Sequence, residues 1–338
     1  MTSKKRFFSR HAYAAIFTLV LALLTGFVLL DTFVLPHAVQ SVVVVSADSS
    51  AETADAQVES GAASSESTAA AASTATTVST LSAATVTEAS SEPVVTSSSY
   101  SGNGVSIVIS TVRVSDSTVY VADVQLSSAS SLETALAQDT FGSNITETTS
   151  AMAAENDAIL AINGDYYGAN KSGYVIKNGV LYRDTIRQGD DTEDLVIYAD
   201  GSFAIIDETE VSAQELVDSG VVQLFAFGPV LIDGGEIQVS SSDEVSRSKT
   251  SNPRTAIGII DDLHYIIVVA DGRTSESAGL SLLELAQLMD SYGCEIAYNL
   301  DGGGSSTMVF NGTVINNPTT NGNKISERAV SDIVYISA

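Results

Sequence analysis

The feature that most restricts how this chain can fold is a run of three glycines, Gly302 to Gly304, between two apolar segments. Residues 296–300 before the run and residues 308–310 after it have the composition of strands. Glycine loses more backbone entropy on ordering than any other residue, so three in succession are costly. They are tolerated where backbone approaches another group closely, and a turn of free N–H groups suits an oxyanion. A tight β-turn between core strands is the alternative, and the run alone does not decide.

The N-terminal region has the charge pattern of a membrane anchor. Four cations among the first ten residues precede a run from Ala12 to Leu30 without any charged side chain. A helix of that length is about what is needed to cross a hydrocarbon core of roughly 30 Å. A cleaved signal peptide, with Val-Ser-Ala at 45–47 as its cleavage site, is the alternative, but its apolar region usually spans about 7–15 residues. We therefore predict a cytoplasmic segment 1–11 and a single-pass anchor 12–35.

The next segment, residues 36–101, has the composition of a disordered stalk. From Ser46 onward it is rich in Ser, Thr and Ala, and it contains neither Lys nor Arg. Such a tract has little apolar surface to bury, so it cannot offset the entropy lost on ordering. The remaining residues, 102–338, are predicted to form one domain outside the cell membrane.

The overall charge narrows the possible partners. The formal net charge is −26 and the pI is near 4.1, so binding to nucleic acid, which requires many Lys and Arg, is not expected. An anionic ligand must instead meet local arginines or backbone N–H groups. Cys294 is the single cysteine, which excludes a disulfide framework. No His/Cys cluster for zinc and no phosphate-loop lysine beside the glycines is present, so no metal or cofactor is predicted. The sequence does not define an oligomeric state.

Local patterns predict an α+β fold, a single domain with a mixed β-sheet and a few helices. Ser281 and Glu284 have the spacing of a capping box, and Gly293 marks the end of the helix that it begins. Ser130 and Glu133 have the same spacing and predict a second short helix. Strands outnumber helices and do not alternate with them regularly, which argues against a doubly wound sheet.

Polar side chains occur where several of the predicted strands begin or end. If these ends share a rim, arginines and carboxylates face one pocket. Paired carboxylates are used in glycoside cleavage, and an arginine can bind phosphate in a bidentate manner. Locally, Asn-Gly at 163–164 also fits a hairpin turn, and Arg254 also fits a structural ion pair. The clusters are Asn163 and Asp165, Arg254 and Thr255, Asp271 and Arg273, and Asn299 and Asp301.

A set of motifs in these segments resembles the phosphodiester glycosidase family, in the family's order, from about residue 100 to the C-terminus. The resemblance implies hydrolysis of a sugar-1-phosphodiester at the glycosidic carbon, which gives the free sugar and a phosphomonoester. The motifs are A-I-N-G-D-Y-Y (161–167), N-P-R-T-A-I-G (252–258), D-G-R (271–273), S-x-x-E-L-A (281–286), N-L-D-G-G-G-S-S-T-M-V (299–309) and E-R (327–328).

The resemblance also implies which residues form the site. The predicted catalytic residues are Asp301, Asp271 and Asp165. The predicted substrate-binding residues are Asn163, Arg254, Thr255, Arg273, Gly302, Gly303, Gly304, Ser305, Ser306 and Arg328. The chain carries Gly-Asp at 164–165, where relatives are expected to carry Gly-Gly.

Chemistry assigns roles within that set. A phosphomonoester leaves as a stable anion, so a strong general acid is less necessary than for an ordinary glycoside. Arginines and backbone N–H groups can stabilise the charge that develops on the leaving oxygen. In this hypothesis the glycine turn with Ser305 and Ser306 is a phosphate cradle, and Asp301 or Asp271 stabilises the oxocarbenium-like carbon.

The predicted substrate is a sugar-phosphodiester, for example on cell-surface or exopolysaccharide glycans. The alternative is a non-catalytic surface protein that binds anionic cell-wall glycans through Arg254, Arg273 and the glycine turn. A Ser-His-Asp hydrolase is disfavoured, because Ser305 and Ser306 do not lie in a G-x-S-x-G elbow and His264 lies in a predicted turn.

Overall fold

A computed structural model describes residues 10–38, 92–189, 192–242 and 251–337. The first nine residues and most of the predicted stalk lie outside these ranges. Four α-helices are described: α1 Arg10–Phe33, α2 Thr149–Glu155, α3 Ala213–Asp218 and α4 Leu282–Ser291. Single 3-10 turns occur at Ala129–Ser131, Ala137–Asp139, Tyr167–Ala169 and Gly303–Ser305.

The strands, in chain order, are β1 His37–Ala38, β2 Val94–Val95, β3 Ser99–Gly102, β4 Val105–Val114, β5 Ser117–Leu126, β6 Leu132–Leu136, β7 Gly142–Ser143, β8 Leu160–Asn163, β9 Val175–Lys177, β10 Val180–Arg183, β11 Glu193–Tyr198, β12 Phe203–Asp207, β13 Val221–Phe225, β14 Val230–Asp233, β15 Glu236–Ile237, β16 Arg254–Asp261, β17 His264–Ala270, β18 Ile296–Leu300, β19 Met308–Phe310, β20 Thr313–Val314 and β21 Asp332–Ile336.

Helix α1 covers residues 12–33 of the segment 12–35 that was predicted to be a membrane anchor. Its 24 residues include the uncharged run of the sequence. In the ranges that the structure describes, however, no helix is both long and apolar enough to cross a membrane. The structure therefore does not support the anchor over residues 12–35, which remains a prediction from sequence.

Two sheets form the framework of the domain. A nine-stranded sheet has the order β15-β14-β18-β16-β17-β5-β4-β3-β2, and a five-stranded sheet has the order β20-β19-β8-β21-β6. The domain is mostly β-sheet with a few helices, as predicted. The large sheet includes β2 and β3, which begin before residue 102.

Strand direction differs from the prediction. Every strand pairing among the described residues is antiparallel, so the predicted mixed sheet is wrong in this respect. A parallel pair needs a crossover of a dozen or more residues, usually through a helix. Many neighbouring strands here are instead joined by short turns, as at β4–β5 and β16–β17.

The predicted helix at residues 130–136 is also wrong. A single 3-10 turn at Ala129–Ser131 is followed directly by β6, which pairs with β21. Leu132 and Thr134 are buried, with Glu133 between them more exposed. This two-residue alternation satisfies a strand, and pairing with β21 outweighs the local capping pattern.

The two faces of the large sheet pack against different parts of the protein, as the residues of β17 illustrate. Ile267 and Val269 belong to the core between the two sheets, whereas Ile266 and Val268 pack in a second cluster with α4. Alternate residues of a strand point to opposite faces, so an apolar run such as residues 265–270 is needed where both faces are covered. The capping box of α4 forms as predicted.

The register of the central strands brings the predicted polar clusters to one rim. Arg254 opens β16 and lies opposite Ala270, the last residue of β17. Thr255 lies opposite Leu300, the last residue of β18. Because these neighbours are antiparallel, the start of β16 lies beside the ends of β17 and β18. Asn163, at the end of β8, joins them by hydrogen bonds across the two sheets.

Candidate active site

A cavity of about 450 Å³ opens at this rim. The predicted residues in its lining are Arg254, Arg273, Asp301, Gly302, Gly303 and Arg328. Sequence reasoning did not assign the other lining residues, Tyr166, Phe227, Asn252 and Pro253, to the site. Three of the lining residues are thus arginines and one is an aspartate, which is an excess of positive charge.

Asp301 directly follows the last residue of β18 and lines the cavity, with 8% of its surface exposed. Its Oδ2 accepts hydrogen bonds from Oγ of Ser305 at 2.6 Å and from Nη2 of Arg328 at 2.7 Å. Burial raises the pKa of Asp301 above the ordinary aspartate value, and Arg328 and Ser305 partly oppose this rise. The carboxylate is therefore held in one orientation and is partly desolvated.

Arg328 is fixed from two sides. Its backbone N–H donates to the carbonyl of Gly304, and its Nε and Nη2 donate to Oγ of Ser305 at 2.9 and 2.6 Å. The preceding residue, Glu327, accepts hydrogen bonds from the N–H and hydroxyl of Ser150 in the first turn of α2. The Glu-Arg motif thus joins a helix to the glycine turn and aims the guanidinium at Asp301.

The other two arginines are held mainly by oxygens of the protein. Arg273 donates to Oδ1 of Asn252 through Nε and Nη2 at 3.2 and 3.1 Å, and to the carbonyl of Thr320. Nε of Arg254 donates to the carbonyl of Leu280 at 3.0 Å. Burial, followed by the nearby charge of Arg328, lowers the pKa of Arg273. Like charges are thus brought together at the cavity, an arrangement that an anion would stabilise.

The glycine turn is explained by close approaches. A Cβ on Gly302 would lie 2.8 Å from the carbonyl oxygen of Pro253, and one on Gly304 would lie 2.3 Å from Oγ1 of Thr320. Gly303 has a φ of +63°, and a Cβ there would lie 3.0 Å from the Arg273 guanidinium. The turn therefore lets Arg273 and the start of β16 pack directly on its backbone.

Three of the N–H groups of the predicted cradle are engaged within the protein. The N–H of Gly303 donates to the carbonyl of Pro253 at 2.9 Å. Those of Ser305 and Ser306 donate back to the carbonyls of Gly302 and Gly303. Both serines are fully buried and neither lines the cavity. Oγ of Ser305 forms hydrogen bonds with Asp301 and Arg328. The turn thereby holds the Asp301 carboxylate and the Arg328 guanidinium at the cavity.

Asn163 and Thr255 are buried and do not line the cavity. Nδ2 of Asn163 donates to the carbonyl of Asp301 at 2.6 Å, and its Oδ1 accepts from Oγ1 of Thr255 at 2.9 Å and from the N–H of Thr307 at 3.3 Å. All of these groups are buried. Asn163 therefore fixes the backbone on both sides of the glycine turn, which is a positioning role.

Two of the predicted catalytic carboxylates also lie away from the cavity lining. Asp271 accepts hydrogen bonds from Nδ2 of Asn316 and from the N–H and Nδ2 of Asn317, and it is 3% exposed. Asp165 is fully buried and pairs with Lys177 at 3.3 Å. Both carboxylates are satisfied within the protein, which leaves Asp301 as the carboxylate at the cavity among the described residues.

The missed lining residues carry weak sequence signals. Tyr166 is part of the N-G-D-Y-Y motif, but only the fold shows that its ring stays exposed while that of Tyr167 is buried. Its φ is +67°, and the Arg328 guanidinium lies 5.7 Å from its ring centre. Phe227 lies in the loop after β13. Its only sequence signal is that it is an aromatic residue directly before Gly-Pro. In the part of the chain described, no group of three or more His, Cys, Asp or Glu side chains could hold a metal.

The cavity and its framework can be compared with known proteins. The sequence pattern of the phosphodiester glycosidase family matches residues 156–337, more than half of the chain. The match spans β8, the glycine turn, the E-R motif and β21. The chain therefore belongs to the phosphodiester glycosidase family, which is a family of hydrolases.

Several relatives match parts of the chain, including the following two. The SPbeta prophage-derived uncharacterized protein YomE of Bacillus subtilis (strain 168) is 34% identical over 200 residues, 58% of this chain and 30% of the relative. The N-acetylglucosamine-1-phosphodiester alpha-N-acetylglucosaminidase of Mus musculus is 41% identical over 108 residues, 30% of this chain and 20% of the enzyme. The matched regions thus span less than a third of these relatives.

The solved structure of a zebrafish protein has a similar fold. It is the catalytic domain of N-acetylglucosamine-1-phosphodiester alpha-N-acetylglucosaminidase, auto-inhibited by its pro-peptide. The TM-score is 0.55 at 23% identity, over 69% of this chain and 83% of that domain. At this identity the likeness establishes the fold alone, in agreement with the mostly β-sheet architecture.

Proposed function

We propose that this protein hydrolyses a sugar-1-phosphodiester of the N-acetylglucosamine type at its glycosidic bond, on cell-surface or exopolysaccharide glycans. The observation that carries the proposal is the cavity lining, where one buried carboxylate lies among three arginines. The chain as a whole has a net charge of −26. A concentration of guanidinium groups in so acidic a protein supports a site for an anionic group.

The two halves of such a substrate need different partners. The phosphodiester is an anion, and guanidinium groups match its oxygens in charge and geometry. The anomeric carbon gains positive character as its bond to oxygen breaks, and a fixed carboxylate stabilises that charge. We assign the phosphate to Arg254, Arg273 and Arg328, and the anomeric carbon to Asp301.

The proposed reaction breaks the bond between the anomeric carbon and the phosphate oxygen. The bonding electrons leave with the oxygen, so the product is a phosphomonoester that carries one additional negative charge. Water supplies the hydroxyl group of the free sugar, and its proton passes to solvent. The arginines stabilise the departing oxygen by charge, so this scheme needs no second carboxylate as an acid. It fits a cavity in which Asp271 and Asp165 take no direct part.

We also propose an extracytoplasmic location with attachment to the cell membrane by one N-terminal helix. No described helix is long and apolar enough to span a membrane, so this part rests on sequence. Its support is the set of four cations before the uncharged run 12–30. Protease treatment of intact cells should release the domain, whereas mature protein that starts near Asp48 in the medium would identify a signal peptide.

The central experiment is Asp301→Asn, assayed on a chromogenic N-acetylglucosamine phosphodiester. The amide keeps the size of the side chain but removes its charge, so turnover should fall at least about 10²-fold while the substrate still binds. Asp233→Asn is the matched control, because Asp233 is exposed at the end of β14 and does not line the cavity. Its turnover should equal that of the wild type.

Asp271→Asn tests the remaining predicted carboxylate. Asp271 contacts Asn316 and Asn317, so its variant should lose stability more than turnover per folded molecule. Near-native turnover of Asp301→Asn, with turnover lost in Asp271→Asn, would transfer the catalytic role to Asp271. Tight binding of the phosphodiester by the wild type without any hydrolysis would favour the alternative of a non-catalytic glycan-binding protein.

A further inference from the structure

A second, smaller cavity adjoins the first and has no role in the proposed chemistry so far. Its volume is about 180 Å³. It shares two lining residues, Tyr166 and Arg328, with the 450 Å³ cavity. The remaining lining residues are Asn144, Thr146, Gly168, Ala169, Ala329 and Ser331. The pair Tyr166 and Arg328 therefore forms a common wall between the two cavities.

The chemistry of the second cavity differs from that of the first. Arg328 is its one charged lining residue, and none of its lining residues is acidic. The other polar side chains are the hydroxyls of Thr146 and Ser331 and the amide of Asn144. Tyr166 adds an aromatic face, with 42% of its surface exposed. Neutral donors and acceptors beside an exposed ring suit an uncharged group that carries hydroxyls.

Some hydrogen-bond donors of the Arg328 guanidinium are used within the protein, and others are available to a ligand. Its Nε and Nη2 are engaged with Ser305, Asp301 and the carbonyl of Gly302. Within the described residues, no protein acceptor lies in hydrogen-bond range of its Nη1. About a third of the side chain, 37%, is exposed. A guanidinium held on one edge can present the remaining donor to an anion.

We propose that the second cavity binds the alcohol arm of the phosphodiester, the group that remains on the phosphate after cleavage, and that this arm is a hydroxyl-bearing sugar or polyol. The inference rests on the proposed function. A phosphodiester has a phosphate in the middle and one group on each side. Two cavities that share an arginine reproduce that order: the sugar lies with Asp301, the phosphate at Arg328, and the alcohol arm beyond it.

The size and charge of the cavity restrict the arm. The second cavity, at about 180 Å³, is less than half the size of the first, at about 450 Å³, which favours a small group. A cationic arm would meet Arg328 without a carboxylate in the lining to balance it. An anionic arm would lack a second cation. The arm is therefore a neutral polyhydroxy group of about one ring or less.

Three substrates test this assignment: the methyl, glycerol and glucose diesters of N-acetylglucosamine 1-phosphate. The methyl diester has no hydroxyl in its arm. The wild type should show a kcat/KM about tenfold higher for the glycerol or the glucose diester than for the methyl diester, the effect of one or two net hydrogen bonds. The better of the two identifies the arm as a polyol or as a sugar.

Two cavity-filling variants, Ala329→Phe and Thr146→Phe, locate the arm. Both residues are exposed and line the second cavity, so a large side chain should fill it with little effect on the fold. In each variant the ratio of kcat/KM between the preferred diester and the methyl diester should fall toward one. Ala154→Phe is the matched control, on the exposed side of α2 and in the lining of neither cavity. Its ratio should equal that of the wild type.

The outcomes separate the two proposals. Equal kcat/KM for all three diesters in the wild type, or an unchanged ratio in both filled variants, would overturn the alcohol-arm site and leave the hydrolase intact. Failure of the wild type to hydrolyse any of the diesters would overturn the proposed function, and this inference with it. A filled variant that still folds can be recognised by an unfolding transition that matches the wild type.

Discussion

Two clusters of ionised side chains differ in how their charges are balanced. In the closed cluster, Lys177 pairs with Asp332 at 2.9 Å and with Asp165 at 3.3 Å, and these side chains are at most 2% exposed. In the open cluster, Arg328 pairs with Asp301 at 2.7 Å, with side-chain exposures of 37% and 11%. In the first cluster the charges are paired within the protein interior, whereas the second cluster faces a cavity.

The closed cluster makes further contacts within the protein. Asp165 also accepts hydrogen bonds from the N–H groups of Tyr167 and Ala226, and Nζ of Lys177 lies 4.0 Å from the centre of the Phe225 ring. The open cluster instead has two further arginines beside one carboxylate. The difference shows that burial of charge alone does not mark a functional site. An unbalanced charge at an accessible cavity is the more informative sign.

One short segment connects the two clusters. Asn163 holds the carbonyl of Asp301, Asp165 enters the closed cluster, and Tyr166 lines the cavity. Gly164 lies between them, because a Cβ there would lie 2.3 Å from the Asp332 carboxylate. The closed cluster thus anchors the strand end that supports the open one.

The largest expected effect is on the closed cluster, in Lys177→Met. Removal of the cation leaves two buried carboxylates facing each other, which typically destabilises a protein by about 3–5 kcal/mol. Urea unfolding at pH 8 should show this loss. Lys171→Met is the matched control: Lys171 is exposed and has no ion pair among the described residues, so its effect should stay within about 0.5 kcal/mol.

The destabilisation in Lys177→Met should depend on pH. In the wild type, burial and the charge of Asp165 raise the pKa of Asp332 to about 6, against the effect of Lys177. Without the lysine, the folded state holds a proton that the unfolded state has lost, so stability falls as pH rises. The loss relative to wild type should therefore be smaller at pH 5 than at pH 8. An equal loss at both pH values would contradict the assignment of Lys177 as the counterion.

The next largest effect is on the open cluster, in Arg254→Ala. In the proposed reaction this guanidinium stabilises the developing phosphate charge, so its loss should lower kcat/KM by about 10²–10³-fold. The buried carbonyl of Leu280 loses the donor Nε of Arg254, so stability should fall by about 1–3 kcal/mol. Arg254→Lys keeps the charge without the planar fork and should lie between wild type and alanine. A variant that loses stability as Lys177→Met does, with native turnover, would make Arg254 structural.

Much of the fold could be predicted from local patterns. The capping box at Ser281 gave the start of α4, because both of its hydrogen bonds are local. Apolar runs gave β16, β17 and β18, and their polar ends indicated a rim. The same capping pattern at Ser130 predicted a helix that does not form, because pairing of β6 with β21 involves residues about 200 positions away.

The sequence could not predict which of the three aspartates lines the cavity, because the environment of each depends on residues distant in the chain. Asp271 is satisfied by a loop at residues 316–317, and Asp165 by Lys177 at the end of β9. Nothing in the sequence Val-Ile-Lys-Asn-Gly distinguishes a buried lysine from one at an exposed strand end. Asp301 is distinguished by Ser305, four residues on, and by Arg328, whose approach depends on the glycine turn.

A smaller change should appear in the pH profile of Arg328→Gln. The positive charge of Arg328 lowers the pKa of Asp301, against the effect of burial, which raises it. In the proposed reaction, activity requires the ionised carboxylate, so activity should be lost as pH falls through that pKa. The wild-type acid limb of kcat/KM should lie above the ordinary aspartate range, and in Arg328→Gln it should move to higher pH. An acid limb that does not move would separate the Arg328 charge from the titration of Asp301.

The smallest effect is expected at Tyr166, which belongs to the open cluster through its ring and not through a charge. The Arg328 guanidinium lies 5.7 Å from the ring centre, and a cation–π contact at an exposed site is worth about 0.5–1 kcal/mol. Tyr166→Ala should therefore lower kcat/KM about two- to fivefold, mainly through KM, since the ring holds Arg328 and forms part of the cavity wall. Tyr166→Phe keeps the ring and should lose less than the alanine variant. If both variants lost kcat as Asp301→Asn is expected to do, the phenolic oxygen would take part in the chemistry, and the open cluster would contain a second reacting group.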